Sequence, residues 1–219
     1  MIFVNFKTYK QGTGEAALNL VEICREVEEQ TSIKIIPVVQ AVDIFRLASQ
    51  GLEVWAQHLD DIEYGPNTGQ ILPEAVLAAG AKGTILNHSE NKLPVEVIGT
   101  TISKLSNFQI ANFKILVCCE SLGEGKEIAK FKPDFIAYEP PELIGGDTSV
   151  SVAKPEVISE FVKEIKEIPV LVGAGIHTPA DIKRGLDLGA KGFLVASDIV
   201  LAQDPKRELL DLAKGFREI

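Results

Sequence analysis

The chain is poor in cysteine, histidine and tryptophan. Its cysteines are Cys24, Cys118 and Cys119. An odd number with an adjacent pair makes no disulfide framework, so a reducing, cytoplasmic setting is expected. His58, His88 and His177 have no ligand spacing among them, and no metal site is expected. Asp60 and Asp61 read as part of a solvated loop. No apolar run approaches the ~20 residues of a membrane-spanning helix. The opening Met1-Ile2-Phe3-Val4-Asn5-Phe6-Lys7 has a polar residue at its fifth position and reads as a first strand, not a signal peptide. Lysine and arginine nowhere cluster with aromatics, and the net charge is -9. Neither a nucleic-acid nor a membrane partner is therefore expected.

What is present is a globular pattern: 219 residues, 46% of them hydrophobic, mean hydropathy +0.14. This length can bury a large core without disulfides or metals. No linker or shift of composition divides it, so one domain over 1–219 is expected. Short β-branched runs alternate with longer amphipathic ones. Strands are expected at Ile2–Phe6, Lys34–Val39, Glu53–Gln57, Gly83–Leu86, Lys114–Cys118, Phe135–Tyr138, Pro169–Val172 and Gly192–Ala196, each followed by a helix. In Glu15–Glu29, Ala17, Leu20, Val21, Cys24, Val27 and Glu28 keep near-helical spacing with one polar lapse. Around Thr178–Leu188, Thr178 is the expected N-cap, Pro179 the first helical residue, Asp181 the acid of a capping box and Gly189 the stop. Alternating strands and helices imply a parallel sheet, either open or closed. Gly80-Ala81-Lys82-Gly83 before the fourth strand recurs as Gly189-Ala190-Lys191-Gly192 before the eighth, which favours a ring of similar units, a single (β/α)8 barrel.

Chemistry in such barrels sits at the C-terminal ends of the strands. The first strand ends Asn5-Phe6-Lys7, where alternation turns an amide and an amine the same way; the plain alternative is a turn cap and a solvated lysine. The fourth ends Asn87-His88-Ser89-Glu90. These polar groups could simply cap the next helix, with Ser89 a reasonable cap; alternatively, an imidazole at the barrel mouth, His88, can polarise a carbonyl, and Glu90 can pair with Lys7 if both face that mouth. The sixth ends Tyr138-Glu139-Pro140-Pro141, and Pro140 confines Glu139 to extended geometry. The following Glu142-Leu143-Ile144-Gly145-Gly146-Asp147 reads either as a surface loop or as a hinged lid over a catalytic base. Gly173-Ala174-Gly175 after the seventh strand and Ala196-Ser197 after the eighth let backbone N–H groups approach a ligand, at the usual phosphate position of this fold.

Taken in order, Asn5-Phe6-Lys7, His88-Ser89-Glu90, Tyr138-Glu139-Pro140, Ile144-Gly145 and Thr68-Gly69 resemble the motifs of the triosephosphate isomerase family across nearly the whole chain. The resemblance implies the TIM barrel and the interconversion of dihydroxyacetone phosphate and D-glyceraldehyde 3-phosphate through an enediolate, a step of glycolysis and gluconeogenesis that needs no cofactor. It implies Glu139 as the base, His88 as the electrophile and Lys7 as the cation. Asn5, Ile144, Gly145, Gly173, Gly175, Ala196 and Ser197 would contact substrate, with Glu90 and Cys118 in support. Pro140-Pro141-Glu142 stands where the family's lid usually begins Pro-Val-Trp, Gly175 where serine is usual, and Ala196-Ser197 where Gly-Gly is usual. With a length below the ~250 residues typical of the fold, these departures resemble the compact archaeal-type branch, which implies a homotetramer. The residues alone leave two other readings open. One is an aldolase-like barrel, which needs a Schiff-base lysine at an interior strand end. The other is a sugar-phosphate binder without catalysis.

Overall fold

The computed structural model describes residues 1–107, 112–140 and 150–216. Eight strands, all parallel, close into a barrel in chain order, with β1 (Ile2–Asn5) pairing both β2 (Ile35–Val39) and β8 (Gly192–Val195). Between these run β3 (Trp55–Ala56), β4 (Gly83–Leu86), β5 (Lys114–Cys119), β6 (Phe135–Tyr138) and β7 (Val170–Val172). The helices are α1 (Glu15–Thr31), α2 (Ala41–Ala48), α3 (Pro73–Ala78), α4 (Val95–Asn107), α5 (Leu122–Ala129), α6 (Val150–Ala153), α7 (Pro155–Glu164), α8 (Pro179–Asp187), α9 (Ser197–Val200) and α10 (Pro205–Lys214). No helix among the described residues is long and apolar enough to cross a membrane.

The period of two sorts the strand residues into two cores. Phe3, Ile36, Val38, Trp55, Ile85, Leu116, Cys118, Ala137, Leu171 and Leu194 fill the barrel itself. Their neighbours in sequence, such as Val4, Ile35, Leu86, Val117, Ile136 and Val172, pack outward against the helices. Edge-to-face contacts of Phe3 with Trp55 (4.9 Å) and Phe135 (5.8 Å) plug the interior. The inside is thus a packed core with room for chemistry only at its mouth.

The repeated Gly-Ala-Lys-Gly segments adopt one turn twice. Gly80 and Gly189 both have φ of 100°, a conformation that favours glycine. In each the lysine N–H then donates to the preceding strand, Lys82 to Val54 O (3.0 Å) and Lys191 to Val170 O (2.8 Å). The capping box at α8 is present in full: the Thr178 side chain accepts from the Asp181 N–H, and the Asp181 side chain accepts from Thr178 N.

Several boundaries differ from expectation. In α1 the buried residues are Ala17, Leu20, Val21, Cys24 and Val27, and the polar lapse has a purpose. The Glu28 carboxylate accepts from Ile35 N (3.0 Å) and Lys34 Nζ (3.1 Å), pinning α1 to the start of β2. The helix runs on to Thr31, where Ser32 at φ 60° ends it. The third strand shrinks to Trp55–Ala56, since Glu53 turns to solvent and meets Lys34 (2.8 Å). Ser89 does not cap a helix, because α4 starts only at Val95. Asp60 and Asp61 staple their loop: Asp60 accepts from the Ile71 N–H, and Asp61 meets Lys104 Nζ at 2.7 Å.

Candidate active site

The parity that fills the barrel also builds its mouth. Phe3, Leu116, Ala137, Leu171 and Leu194 point inward. Two positions further along, alternation turns Asn5, Cys118, Glu139, Gly173 and Ala196 the same way. Four of these five line a cavity of about 230 Å³ at the C-terminal ends of the strands; Cys118 lies beneath it, beside Glu139.

At the end of β1 the chain leaves the strand one residue sooner than expected. Lys7 takes φ 46°, and its N–H donates to Asn5 Oδ1 (3.0 Å), so Asn5 serves both as turn cap and as part of the cavity wall. Gln57 Nε2 donates to the Lys7 carbonyl (2.9 Å) and fixes the turn from the next-but-one strand. The lysine side chain is 15% exposed, and its Nζ meets Glu90 Oε1 at 2.7 Å.

At the end of β4 the decisive residue is Asn87, which the sequence reading passed over. Its φ of 58° is left-handed, a conformation asparagine tolerates better than most residues. All of its amide groups are engaged: Nδ2 donates to Cys118 O and Glu124 Oε1 (both 2.8 Å), and Oδ1 accepts from Leu93 N (2.9 Å). This locked turn sets His88 into the cavity wall. His88 Nδ1 accepts from the Glu90 backbone N–H at 3.2 Å, so in the neutral ring the proton sits on Nε2. Burial pulls the His88 pKa below the ordinary histidine value; Glu90 opposes the shift and Lys7 adds to it. The ring at neutral pH is an uncharged imidazole with an N–H donor.

Glu139 follows β6. Its backbone N–H donates to Cys119 O (2.9 Å), and Tyr138 before it stacks on Phe161 at 4.6 Å on the outer side. The residue is 5% exposed. Burial raises its pKa from 4.5 to about 7, against the downward pull of the Cys118 thiol hydrogen bond and of Lys7. Burial also holds Cys118 well above its usual value, so it stays a thiol donor. Glu139 Oε2 has no hydrogen-bond partner among the described residues. It stands 3.9 Å from His88 Nε2, too far for a hydrogen bond, so neither group is neutralised by the other. Gly173 supplies the opposite wall. A Cβ at Gly173 would lie 2.8 Å from Glu139 Cγ and 3.0 Å from Oε1.

A sequence model described as triosephosphate isomerase matches residues 1–215. The chain belongs to the triosephosphate isomerase family. It is 43% identical to the triosephosphate isomerase of Methanobacterium bryantii over 217 residues, 97% of this chain and 95% of that protein. It is 42% identical to that of Thermoplasma volcanium over 216 residues, 97% and 99% of the two chains. The corresponding protein of Methanothermus fervidus is 41% identical over 218 residues. The chain spans nearly the full length of these archaeal triosephosphate isomerases, so its shortness is a property of that branch.

Of the residues expected at the site, Asn5, Lys7, His88, Glu139, Gly173, Gly175, Ala196 and Ser197 all border this same cavity. Glu90 stands behind Lys7 and Cys118 behind Glu139. Ile144 and Gly145, the lid residues of the triosephosphate isomerase motif, lie outside the described residues. Gly175 takes φ 61°, which its side-chain-free backbone allows where serine is usual in the family. Tyr9, His177 and Asp198 also border the cavity and were not singled out from the sequence. Tyr9 and His177 sit in loops and Asp198 in the short helix α9, positions whose direction no strand periodicity encodes. His177-Thr178 before a capping box was the one available signal for the second of them.

Proposed function

We propose that this member of the triosephosphate isomerase family interconverts dihydroxyacetone phosphate and D-glyceraldehyde 3-phosphate with Glu139 as base, His88 as electrophile and Lys7 as the cation. The observation that carries the assignment is the buried Glu139 carboxylate, its pKa at about 7, with one oxygen unpaired among the described residues, across a 3.9 Å gap from the Nε2 of a neutral imidazole. A base whose pKa lies near the working pH is best matched to proton transfer. Glu139 removes a proton from the carbon next to the carbonyl and returns it to the neighbouring carbon. His88 Nε2–H polarises the carbonyl oxygen and moves a proton between the two oxygens of the enediolate. Lys7 supplies positive charge toward the developing oxyanion, and Asn5 holds a substrate oxygen. The phosphate rests against the Gly173–Gly175 and Ala196–Ser197 backbones, where small residues leave N–H groups approachable. The net charge of -9 repels a phosphate at long range, so these contacts act locally. A Schiff-base aldolase commonly carries its lysine at the sixth strand end, where Glu139 stands, and borohydride trapping with substrate is expected to give no adduct.

The test is a coupled assay of glyceraldehyde 3-phosphate conversion with wild type and Glu139→Asp. The shorter side chain keeps the charge and withdraws it by one methylene, roughly 1.5 Å, a misplacement that costs about 10²-fold or more in kcat. Wild-type kcat in Glu139→Asp removes Glu139 as the base. A single domain over 1–219, a homotetrameric assembly and a cytoplasmic location complete the proposal. The last is supported by three free, buried cysteines.

A further inference from the structure

The proposed chemistry leaves one polar pair in the cavity wall unused. His177 closes the loop after β7, and Asp198 lies in α9, just past β8; both border the cavity. His177 Nδ1 and Asp198 Oδ2 are hydrogen-bonded across 21 positions of sequence. The pair therefore ties together the two loops that flank the proposed phosphate position. The His177 backbone is fixed independently, its N–H donating to Asp181 Oδ2 (3.3 Å) in the capping box of α8. The side chains are 33% and 37% exposed, so solvent protons reach them.

A carboxylate in the wall of a site that must hold a dianion opposes binding unless a cation accompanies it. Among the described residues bordering the cavity, the other ionisable groups are Lys7, Tyr9, His88 and Glu139. Lys7 is already matched by Glu90, and Asp181 adds a further carboxylate at the His177 backbone. Among the described residues, the group in contact with Asp198 that can offset its charge is its own hydrogen-bond partner, His177. We infer that the His177–Asp198 pair is a proton-dependent part of the substrate's anion subsite, neutral and permissive when His177 is protonated and repulsive when it is not. Binding the phosphate then draws one proton from bulk solvent onto the His177 ring, whose Nδ1 already faces Asp198. The inference rests on the proposed placement of the phosphate between these two loops. In sign, anion affinity is full at low pH and declines as pH rises through the titration of His177.

Sulfate, a dianion throughout the range where histidine titrates, serves as the probe. Its competitive inhibition constant is measured from about pH 5.5 to about pH 8.5 for wild type, His177→Gln, His177→Lys and Asp198→Asn. Ionisation of Glu139 also weakens sulfate binding as pH rises, but that step is common to all four proteins. Solvent screening limits the effect of the pair to about three- to tenfold. His177→Gln is expected to bind sulfate weaker than wild type by that factor at low pH and equally at high pH. His177→Lys and Asp198→Asn are expected to bind tighter than wild type by the same factor at high pH. Superimposable profiles for wild type and His177→Gln overturn the inference. Ser197→Asp separates that outcome from a misplaced phosphate. If it abolishes sulfate inhibition while His177→Gln matches wild type, only the role of the pair falls. If Ser197→Asp still binds sulfate as wild type does, the phosphate placement and the inference fall together.

Discussion

Glu139 shows how a single burial creates both function and cost. In the unfolded chain a carboxyl group ionises near 4.5, whereas in the barrel mouth burial moves it to about 7. Between those values the folded protein keeps a proton that the unfolded chain has lost, so this group makes stability fall as pH rises through that window. Above about pH 7 the full penalty is present. Glu139→Gln is therefore expected to match wild type in stability near pH 4.5 and to exceed it near pH 8 by about 2–3 kcal/mol, since each tenfold change in acidity between the two states is worth about 1.4 kcal/mol. Urea unfolding at the two pH values measures the difference; a gap that does not widen with pH means that burial is not what raises the carboxyl group. The same titration sets the acid side of catalysis. Log kcat/KM is expected to climb as pH rises toward about 7, as Glu139 becomes a free base, with the substrate's own phosphate ionisation near about 6 contributing below that. His88 adds no alkaline limb, because its shift is downward and it is already neutral there.

Among the elements, Glu139 just past β6 and the loops that follow β7 and β8 are positioned by contacts that a strand's alternation does not contain. Gly173 has ordinary backbone angles, so alanine fits there without strain in the chain; the conflict is with Glu139, 2.8 Å from the added Cβ. The carboxylate must move, and a displacement near 1 Å costs about 10²-fold. Gly173→Ala is expected to lower kcat by about 10- to 100-fold while the denaturation midpoint changes little. Unaltered kcat shows that this contact does not position the base. The capping box before α8 makes the converse case, with stability at stake. Asp181 accepts from Thr178 N (3.0 Å), Thr178 Oγ1 (2.8 Å) and His177 N (3.3 Å). Removing it in Asp181→Ala strips the cap and leaves donors unmatched, for an expected loss of about 1–2 kcal/mol in urea unfolding. The Thr178-x-x-Asp181 signature was legible in sequence because a capping box is local. The shortened β3 was not, since its ends are decided by what Glu53 and Gln57 find outside their own strand.

At the scale of the molecule, Val42 is 81% exposed and Phe45 67%, three residues apart on the same side of α2, while Tyr64 is 77% exposed in the loop after β3. Large apolar side chains left so open favour association. With tetramers proposed, light scattering after size exclusion is expected to give about four times the 23.8 kDa chain mass, and Phe45→Glu to shift the distribution to smaller species. A monomeric wild type overturns the assembly. The order of strands and helices was legible in the sequence, because period-two burial is written in consecutive residues; the repeated Gly-Ala-Lys-Gly turns favoured closure, and the roles proposed for Asn5, Lys7, His88 and Glu139 came from the resemblance to the family. Only the tertiary structure decided that Asn87 turns His88 into the cavity, that Gly173 faces the base, and that His177 meets Asp198. Each of these joins residues brought side by side by closure of the barrel, and distance across a closed ring has no counterpart in distance along the chain.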